Sequence, residues 1–273
     1  MTQMTKKDAA KLINRSLKIN LSAVERKLVA FIEQKIEEAG AEGAVVGLSG
    51  GLDSSVVATL CKKALGKPNV LGVCMPEAGV TNPRDVADAH DVSNRLGIRF
   101  RVVDITPAVL GIHQNLYDFR IGARVPAANV KPRVRMTILY YYANLLNSLV
   151  VGTCNRSERR AGYFTKHGDG AVDLMPLGCL YKTQVRQLAA HLNVPKKVIE
   201  NVPSAGLWRG QTDEKELGIS YEKLDMIYAG LDLGLEPDVI ADAADVKIED
   251  VNRFIERERR MAHKLSMPEI PKL

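Results

Sequence analysis

Short apolar runs alternate with longer amphipathic segments in the first half of the chain. The runs are too short for helices and rich in β-branched residues, as is typical of buried strands. They cover residues 44–48, 70–75, 100–105 and 149–153. The segments between them predict helices over residues 54–65, 85–96 and 133–146. This alternation indicates an α/β fold in which a doubly wound parallel sheet is flanked by helices on both faces.

An amphipathic helix is predicted before the first strand. Ser22 and Glu25 have the spacing of a capping box. Apolar residues recur at every fourth position from Leu28 to Ile36 and form one stripe. Gly40 is placed to end this helix in a left-handed conformation.

The pattern changes after residue 151. Residues 155–176 are polar and rich in glycine, and they form a longer connection than compact domains usually contain, which indicates function. Beyond them the pattern predicts a helical C-terminal part, with helices at about residues 184–192, 221–231 and 248–264. Since no change of composition marks a boundary, we expect residues 1–273 to form a single domain.

The composition is that of an ordinary globular protein, with 46% hydrophobic and 26% charged residues. No apolar stretch approaches the roughly 20 residues that span a bilayer, and the first residues lack the apolar core of a signal peptide. The four cysteines show no C-x-x-C spacing, which argues against a structural zinc site. We therefore expect a cytoplasmic protein with no membrane partner.

A glycine-rich segment, GLSGGLDSS at residues 47–55, follows the first predicted strand and leads into a helix. Glycines allow close backbone approach, so successive N–H groups can surround an anion, and the helix beginning near Ser54 adds the positive end of its dipole. Asp53 suits such a site only if a cation accompanies the phosphates, and Mg²⁺ bridging carboxylate and phosphate meets that need. A capped turn without a ligand is the alternative.

This segment lacks both the P-loop lysine and the G-x-G-x-x-G spacing. It resembles the SGGxDS pyrophosphate loop of the N-type ATP pyrophosphatases, which cleave ATP between the α and β phosphates and adenylate a substrate oxygen. From about residue 20 to 265, the chain is similar to the ammonia-dependent NAD synthetase family. The resemblance implies an adenine nucleotide alpha hydrolase-like fold. The segments that carry it, in order, are 129–136, 151–158, 162–170, 176–178, 180–183, 203–208 and 211–218.

The resemblance implies a set of site residues. Those expected to bind ATP are Gly47, Leu48, Ser49, Gly50, Gly51, Leu52, Asp53, Ser54, Thr153, Lys182 and Ser204. Those expected to bind deamido-NAD (nicotinic acid adenine dinucleotide) are Arg133, Lys166, Asp173, His263 and Lys264. The expected Mg²⁺ ligands are Asp53 and Glu158. The expected catalytic residues are Asp53, Lys182 and Asp173, the last as a possible proton acceptor for ammonium.

Several of these residues have structural alternatives. Glu158 could instead pair with Arg159 or Arg160 on a solvated face. Arg133 could be a surface residue at a helix start. The cations His263 and Lys264 could be present only because the dipole at a helix C-terminus favours them.

Two cysteines depart from the family pattern. Cys154 stands where glycine is usual, and Cys179 stands where aspartate is usual. The second departure removes a carboxylate and leaves the role of that position open.

The family resemblance implies a ligase that forms a C–N bond in the last step of NAD biosynthesis. Deamido-NAD would be adenylated by ATP and then amidated, giving NAD, AMP and pyrophosphate. Glutamine-dependent relatives carry an additional amidase domain, for which 273 residues leave no room, so ammonia is the expected donor. A homodimer is also implied, with residues 110–130 and 140–142 as the expected interface.

The charge distribution fits small phosphate ligands. Residues 131–186 contain nine Lys or Arg and three Asp or Glu, so this stretch alone accounts for the net charge of +6.

A tRNA-modifying adenylating enzyme of the same superfamily is the alternative function. It would normally carry paired catalytic cysteines or an RNA-binding module, and the sequence shows neither. A nucleotide sensor that does not consume ATP is a further alternative. We therefore expect no nucleic acid partner.

Overall fold

The computed structural model describes residues 5–120 and 122–271. The helices are α1 Lys6–Ser16, α2 Leu21–Glu38, α3 Leu52–Leu65, α4 Pro83–Leu96, α5 Thr106–Asn115, α6 Arg124–Leu145, α7 Arg156–Arg160, α8 Lys182–His191, α9 Lys196–Ile199, α10 Asp213–Leu217, α11 Tyr221–Asp232, α12 Pro237–Ala244 and α13 Ile248–Met261. The strands are β1 Gly43–Gly47, β2 Val70–Cys74, β3 Arg99–Val102 and β4 Ser148–Val150. Short 3₁₀ helices cover Lys67–Asn69, Pro176–Cys179 and Ala262–Lys264.

The four strands form one parallel sheet in the order β3-β2-β1-β4. In the register, Val45 of β1 lies opposite Leu71 of β2 and Val150 of β4. The chain winds outward from β1 through β2 to β3 and then returns to place β4 on the other side of β1. Because the winding direction reverses between β1 and β4, a crevice opens beyond the carboxyl ends of these two strands.

Alternate residues of β1 supply two cores, one on each face of the sheet. Ala44 and Val46 pack with α2, α3, α4 and α8. Val45 packs with α5 and α6 on the opposite face. Both valines are completely buried. The predicted doubly wound sheet is thus confirmed, and the strands are uniformly apolar because both faces are covered.

A third core joins the two ends of the chain. Helices α1, α11, α12 and α13 pack around Ile13, Tyr221, Tyr228 and Phe254. This cluster confirms the predicted helical C-terminal part, and the N-terminal helix α1, which the pattern did not predict, completes it. Within residues 5–120 and 122–271, no helix is both long and apolar enough to cross a bilayer.

The predicted capping box of the helix before β1 is wrong. Helix α2 begins at Leu21, and Asn20 caps it, because its side-chain oxygen accepts a hydrogen bond from the backbone N–H of Ala23 at 3.0 Å. Glu25 points away from the cap and pairs with Lys63 at 2.7 Å. The other end is as predicted, since Gly40 has a φ of +62°.

The predicted start of the helix at residue 133 is also wrong. Helix α6 begins at Arg124 and continues through Pro132, so Arg133 lies inside the helix. Proline usually marks a helix start because it lacks an N–H and crowds the preceding turn. Here the ring is buried against Gly168, and this packing offsets the cost of continuing the helix.

Two alanine substitutions separate the observed cap of α2 from the one that the sequence predicted. Asn20→Ala removes the capping acceptor, so we expect a loss of about 1 kcal/mol in the free energy of unfolding. Ser22→Ala is the matched control and should change that free energy by less than about 0.5 kcal/mol. Urea denaturation followed by circular dichroism measures both values. A larger loss in Ser22→Ala than in Asn20→Ala would contradict the assignment.

Candidate functional site

The segment after β1 forms a tight loop at the N-terminus of α3. Gly50 has a φ of +81°, and a Cβ there would lie 2.1 Å from the carbonyl oxygen of Asp85, so glycine is required both by conformation and by the close approach of α4. The hydroxyl oxygens of Ser49 and Ser54 are 3.0 Å apart, and that of Ser54 also accepts from the N–H of Ser49 at 3.2 Å. These bonds fix the loop.

The N-terminus of α3 is available to an anion. No side chain in the described part of the chain caps this helix. The first N–H groups of a helix have no intrahelical partners, and they carry the positive end of its dipole. The loop and helix therefore have the geometry that phosphate binding needs, and the phosphate-binding role of residues 47–54 stays a prediction.

A buried lysine joins the two sides of the crevice. Lys182, at the start of α8, forms an ion pair with Asp53 in the first turn of α3, and its Nζ lies 3.3 Å from Oε1 of Glu158 in α7. Its side chain is only 3% exposed. Asn155, which follows β4, donates from Nδ2 to Oδ1 of Asp53 at 3.1 Å. Residues placed after β1 and β4 thus meet at one point.

Acidic side chains outnumber basic ones in this cluster. Burial raises the pKa of Glu158 to about 8; Lys182 opposes this shift, and Asp53 and Asp213 add to it. Burial also raises the pKa of Asp213. Burial lowers the pKa of Lys182, but Asp53 and Glu158 outweigh that effect and raise it overall. One permanently charged ammonium therefore faces three carboxyl groups.

The position of Glu158 is set by a capping box at the start of α7. Its Oε2 accepts from the N–H of Asn155 at 3.2 Å, while the side chain of Asn155 accepts from the N–H of Glu158 at 3.0 Å. The other oxygen, Oε1, is left for Lys182. The alternative pairings with Arg159 and Arg160 are wrong, because Arg159 donates to the carbonyl of Gly178 at 2.9 Å and Arg160 pairs with Glu258 at 2.6 Å.

A buried carboxylate orients the start of α8. Oγ of Ser157 accepts from the N–H of Lys182 at 2.9 Å and donates to Asp225, whose other oxygen accepts from the N–H of Thr183 at 2.8 Å. Burial raises the pKa of Asp225 to about 6, so the group is ionised at neutral pH. Its negative charge at the positive end of α8 stabilises the turn that carries Lys182.

Five residues of this site were not among those predicted from the sequence, namely Asn155, Ser157, Asp213, Tyr221 and Asp225. Tyr221 donates to Oδ2 of Asp213 at 3.0 Å, and its hydroxyl lies 3.5 Å from Oε1 of Glu158. The N-x-x-E spacing at Asn155 was a usable signal for a capping box. Tyr221 and Asp225 gave none, because at the sequence level they belong to the apolar face and first turns of an ordinary helix.

A model of the NAD synthase family matches residues 24–268. The chain belongs to the NAD synthase family. It is 46% identical to the NH₃-dependent NAD⁺ synthetase of Methanocaldococcus jannaschii over 93% of this chain and 98% of that protein.

Solved structures with the same fold agree with the family. The NMN synthetase of Francisella tularensis has a TM-score of 0.83 and 35% identity, over 94% of this chain and all of that one. The NH₃-dependent NAD synthetase of Campylobacter jejuni has a TM-score of 0.77 and 31% identity, over 93% of this chain and all of that one.

The residues that the NAD synthetase resemblance implied for ATP fall into two groups. The loop at residues 47–54 and Lys182 lie at the crevice described above, next to Glu158, which the resemblance implied for Mg²⁺. Thr153 is half-buried in the connection that follows β4. Ser204 is exposed in the irregular segment 201–212, where its Oγ accepts from the N–H of Gly206 at 3.1 Å.

The cations implied for deamido-NAD lie near one another. Arg133 donates to the carbonyl of Lys166 at 3.2 Å, and Nζ of Lys166 donates to the carbonyl of His263 at 2.8 Å. Lys264 donates to the carbonyls of Gly162 and Phe164. Lys264 therefore does more than complement a helix dipole, because it ties the C-terminus to the glycine-rich connection.

The hydrogen bonds of Asp173 are to other residues than those cations. Its two oxygens accept from the hydroxyl of Tyr140 at 2.9 Å and from the N–H of Val150 at 2.7 Å. A cavity of about 580 Å³ is lined by Tyr140 together with Arg133 and His167. The cavity thus links the Asp173 position to the implied deamido-NAD residues.

Proposed function

We propose that this chain amidates deamido-NAD with ammonia at the expense of ATP, giving NAD, AMP and pyrophosphate. The observation that carries the proposal is the Lys182 ion-pair cluster at the uncapped N-terminus of α3, in a chain of the NAD synthase family. The name of the Methanocaldococcus jannaschii relative supports this reaction. The family match favours it over a tRNA-modifying adenylating enzyme.

The first step is adenylation. The nicotinate carboxylate attacks the α-phosphorus of ATP, a P–O bond forms, and the bond to pyrophosphate breaks. The free N–H groups of α3 and the Lys182 ammonium supply positive charge where the phosphates would lie, which stabilises the charge that develops on the leaving group.

We propose that Asp53 and Glu158 also hold Mg²⁺. No group of three His, Cys, Asp or Glu side chains in the described residues forms a ready metal centre. The two carboxylates nevertheless fit the ion, because oxygen ligands suit Mg²⁺ and a nearby cation would favour the ionised form of Glu158. When bound, Mg²⁺ would neutralise phosphate charge, and Lys182 keeps both carboxylates directed toward one point.

The second step is amide formation. Ammonia attacks the adenylated carboxyl carbon, a C–N bond forms, and AMP leaves. A free carboxylate would be a poor acceptor, and adenylation supplies the leaving group. We propose Asp173 as the group that takes a proton from ammonium, because its side chain is exposed beside the cavity while Tyr140 and Val150 fix its orientation.

Free ammonia, rather than glutamine, is the proposed donor. Hydrolysis of glutamine by a cysteine enzyme needs a thiolate, which is favoured by a lowered pKa. Burial raises the pKa of all four thiols here. The same four cysteines are unpaired, which supports a reducing, cytoplasmic location.

The mononucleotide is a second candidate substrate. The fold of the Francisella tularensis NMN synthetase matches this chain closely, and its name points to a nicotinamide mononucleotide product. Either substrate presents the same nicotinate carboxylate to the α-phosphorus. The choice depends on whether the chain also uses contacts to the adenylyl half of deamido-NAD.

We also propose that the enzyme is a homodimer that uses the face made by α5, α6 and the connection between them. Large apolar side chains are exposed there, as is typical of an interface that is covered in the assembly. They are Leu110, Leu116, Tyr117, Val125, Tyr141 and Leu145.

Asp53→Asn should abolish AMP formation that depends on deamido-NAD, because it removes one partner of Lys182 and one proposed Mg²⁺ ligand. We expect a loss of at least about 10²-fold in kcat/KM. Asp91→Asn, at a half-buried position of α4 where the carboxylate also pairs with two basic side chains, is the matched control. A near-normal rate in Asp53→Asn would contradict the role of this carboxylate.

A single assay of AMP release tests donor and substrate together. With ammonium, we expect turnover of deamido-NAD and a kcat/KM for nicotinic acid mononucleotide at least about tenfold lower. With glutamine free of ammonium, we expect no NAD. A preference for the mononucleotide would make the chain an NMN synthetase, and turnover with glutamine would overturn the donor assignment.

Charges on the exposed face should prevent dimer formation. Tyr117→Glu combined with Leu145→Glu should give a monomer in sedimentation velocity at concentrations where the wild type is a dimer, since charges are depleted at interface cores. Ile270→Glu changes an equally exposed residue outside this face and should leave the dimer intact. A monomeric wild type would refute the proposal.

A further inference from the structure

The ammonium of Lys131 has no role in the proposed reaction. It lies where three segments of the chain meet. Lys131 belongs to α6, and its side chain is 11% exposed. Its Nζ is 2.7 Å from Oε2 of Glu77, in the connection between β2 and α4, and it donates to the carbonyl oxygen of Leu207 at 2.6 Å. One buried cation therefore holds two separate connections.

Both connections border the proposed nucleotide site. Glu77 follows the carboxyl end of β2 and leads into α4, whose Asp85 carbonyl packs against Gly50 of the phosphate-binding loop. Leu207 lies in the segment 201–212, which also carries Ser204. Lys131 thus lies on a continuous path from the phosphate-binding loop to a residue expected to contact the nucleotide.

The segment 201–212 has no regular secondary structure, so individual contacts decide its position. The N–H of Leu207 donates to the side chain of Gln211 at 2.8 Å, which keeps the turn compact. Arg124 of α6 stacks on the ring of Trp208, with its guanidinium carbon 3.9 Å from the ring centroid. Lys131 and Arg124 are thus two anchors on one helix.

Removing the ammonium of Lys131 while its partners remain costs free energy. A buried carboxylate and a buried carbonyl that lose their cation keep the desolvation cost without the compensating interaction. Removal of the ammonium therefore loosens the segment 201–212, which keeps only its other anchors, and leaves Arg135 as the remaining cation near Glu77.

We propose that Lys131 is a positioning residue for ATP. Its ammonium ties the connection that contains Glu77 to the segment 201–212, and so holds Ser204 in place relative to the phosphate-binding loop. Lys131 acts through these two segments and not by contact with the reacting atoms. The effect on ATP rests on the proposed function, whereas the tie between the segments does not.

Lys131→Met tests the proposal, because it keeps the aliphatic chain and removes only the ammonium. Trp208 is the only tryptophan in the chain, so its fluorescence reports directly on the segment 201–212. We expect a red-shifted emission, easier quenching by acrylamide, and affinity for ATP weaker by about tenfold in calorimetry. Lys131→Arg, which keeps the charge, should restore most of both signals.

Lys63→Met is the matched control. Lys63 also pairs with a glutamate at 2.7 Å, but its side chain is 43% exposed and lies at the far end of α3. It should change neither Trp208 emission nor ATP affinity. Glu77→Gln provides a second route if Lys131→Met folds poorly, and it should shift the same two signals in the same direction.

Some outcomes overturn the inference. Unchanged Trp208 emission in both Lys131→Met and Glu77→Gln would show that the ammonium does not hold the segment. Altered emission with unchanged ATP affinity would show a purely structural contact. If the wild type binds ATP but forms no AMP with deamido-NAD, the proposed reaction fails, and the Trp208 and ATP-binding measurements still decide the role of Lys131.

Discussion

The ammonium of Lys182, buried between Asp53 and Glu158, is the interaction on which the candidate site depends. It joins the helix that follows β1 to the helix that follows β4, at the point where the winding of the sheet reverses. Charge is the reason that this contact matters. The carboxyl groups outnumber the ammonium, and the Mg²⁺ proposed at Asp53 and Glu158 would supply a further cation beside the phosphates of ATP.

The helical C-terminal part contributes directly to this site. Asp225 and Tyr221 come from α11, and Asp213 comes from α10 just before it. Asp225 fixes the start of α8, the hydroxyl of Tyr221 lies between Glu158 and Asp213, and Asp213 adds a carboxyl group near Lys182. The core formed by α1, α11, α12 and α13 thus supports the catalytic side of the sheet, and the two parts of the chain form one functional unit.

Much of the fold could be predicted because a parallel strand that is buried on both faces consists almost entirely of apolar residues. The runs of Val and Leu in β1 and β2 leave no other good interpretation. The starts of helices were less predictable, because neighbouring residues offered more than one possible start. Ser22 and Asn20 are both good capping residues, and Pro132 resembles a helix start until its packing against Gly168 is known.

The sequence by itself determined the sheet, the glycine-rich loop at residues 47–54 and, through ordered motifs, the family of the enzyme. These features depend on residues that are close in the chain, or on patterns that repeat along it. Only the tertiary structure showed that Lys182 bridges Asp53 and Glu158, and that Lys131 joins Glu77 to Leu207. The physical reason is that the energy of a buried charge depends on partners distant in sequence, which only the folded chain brings together.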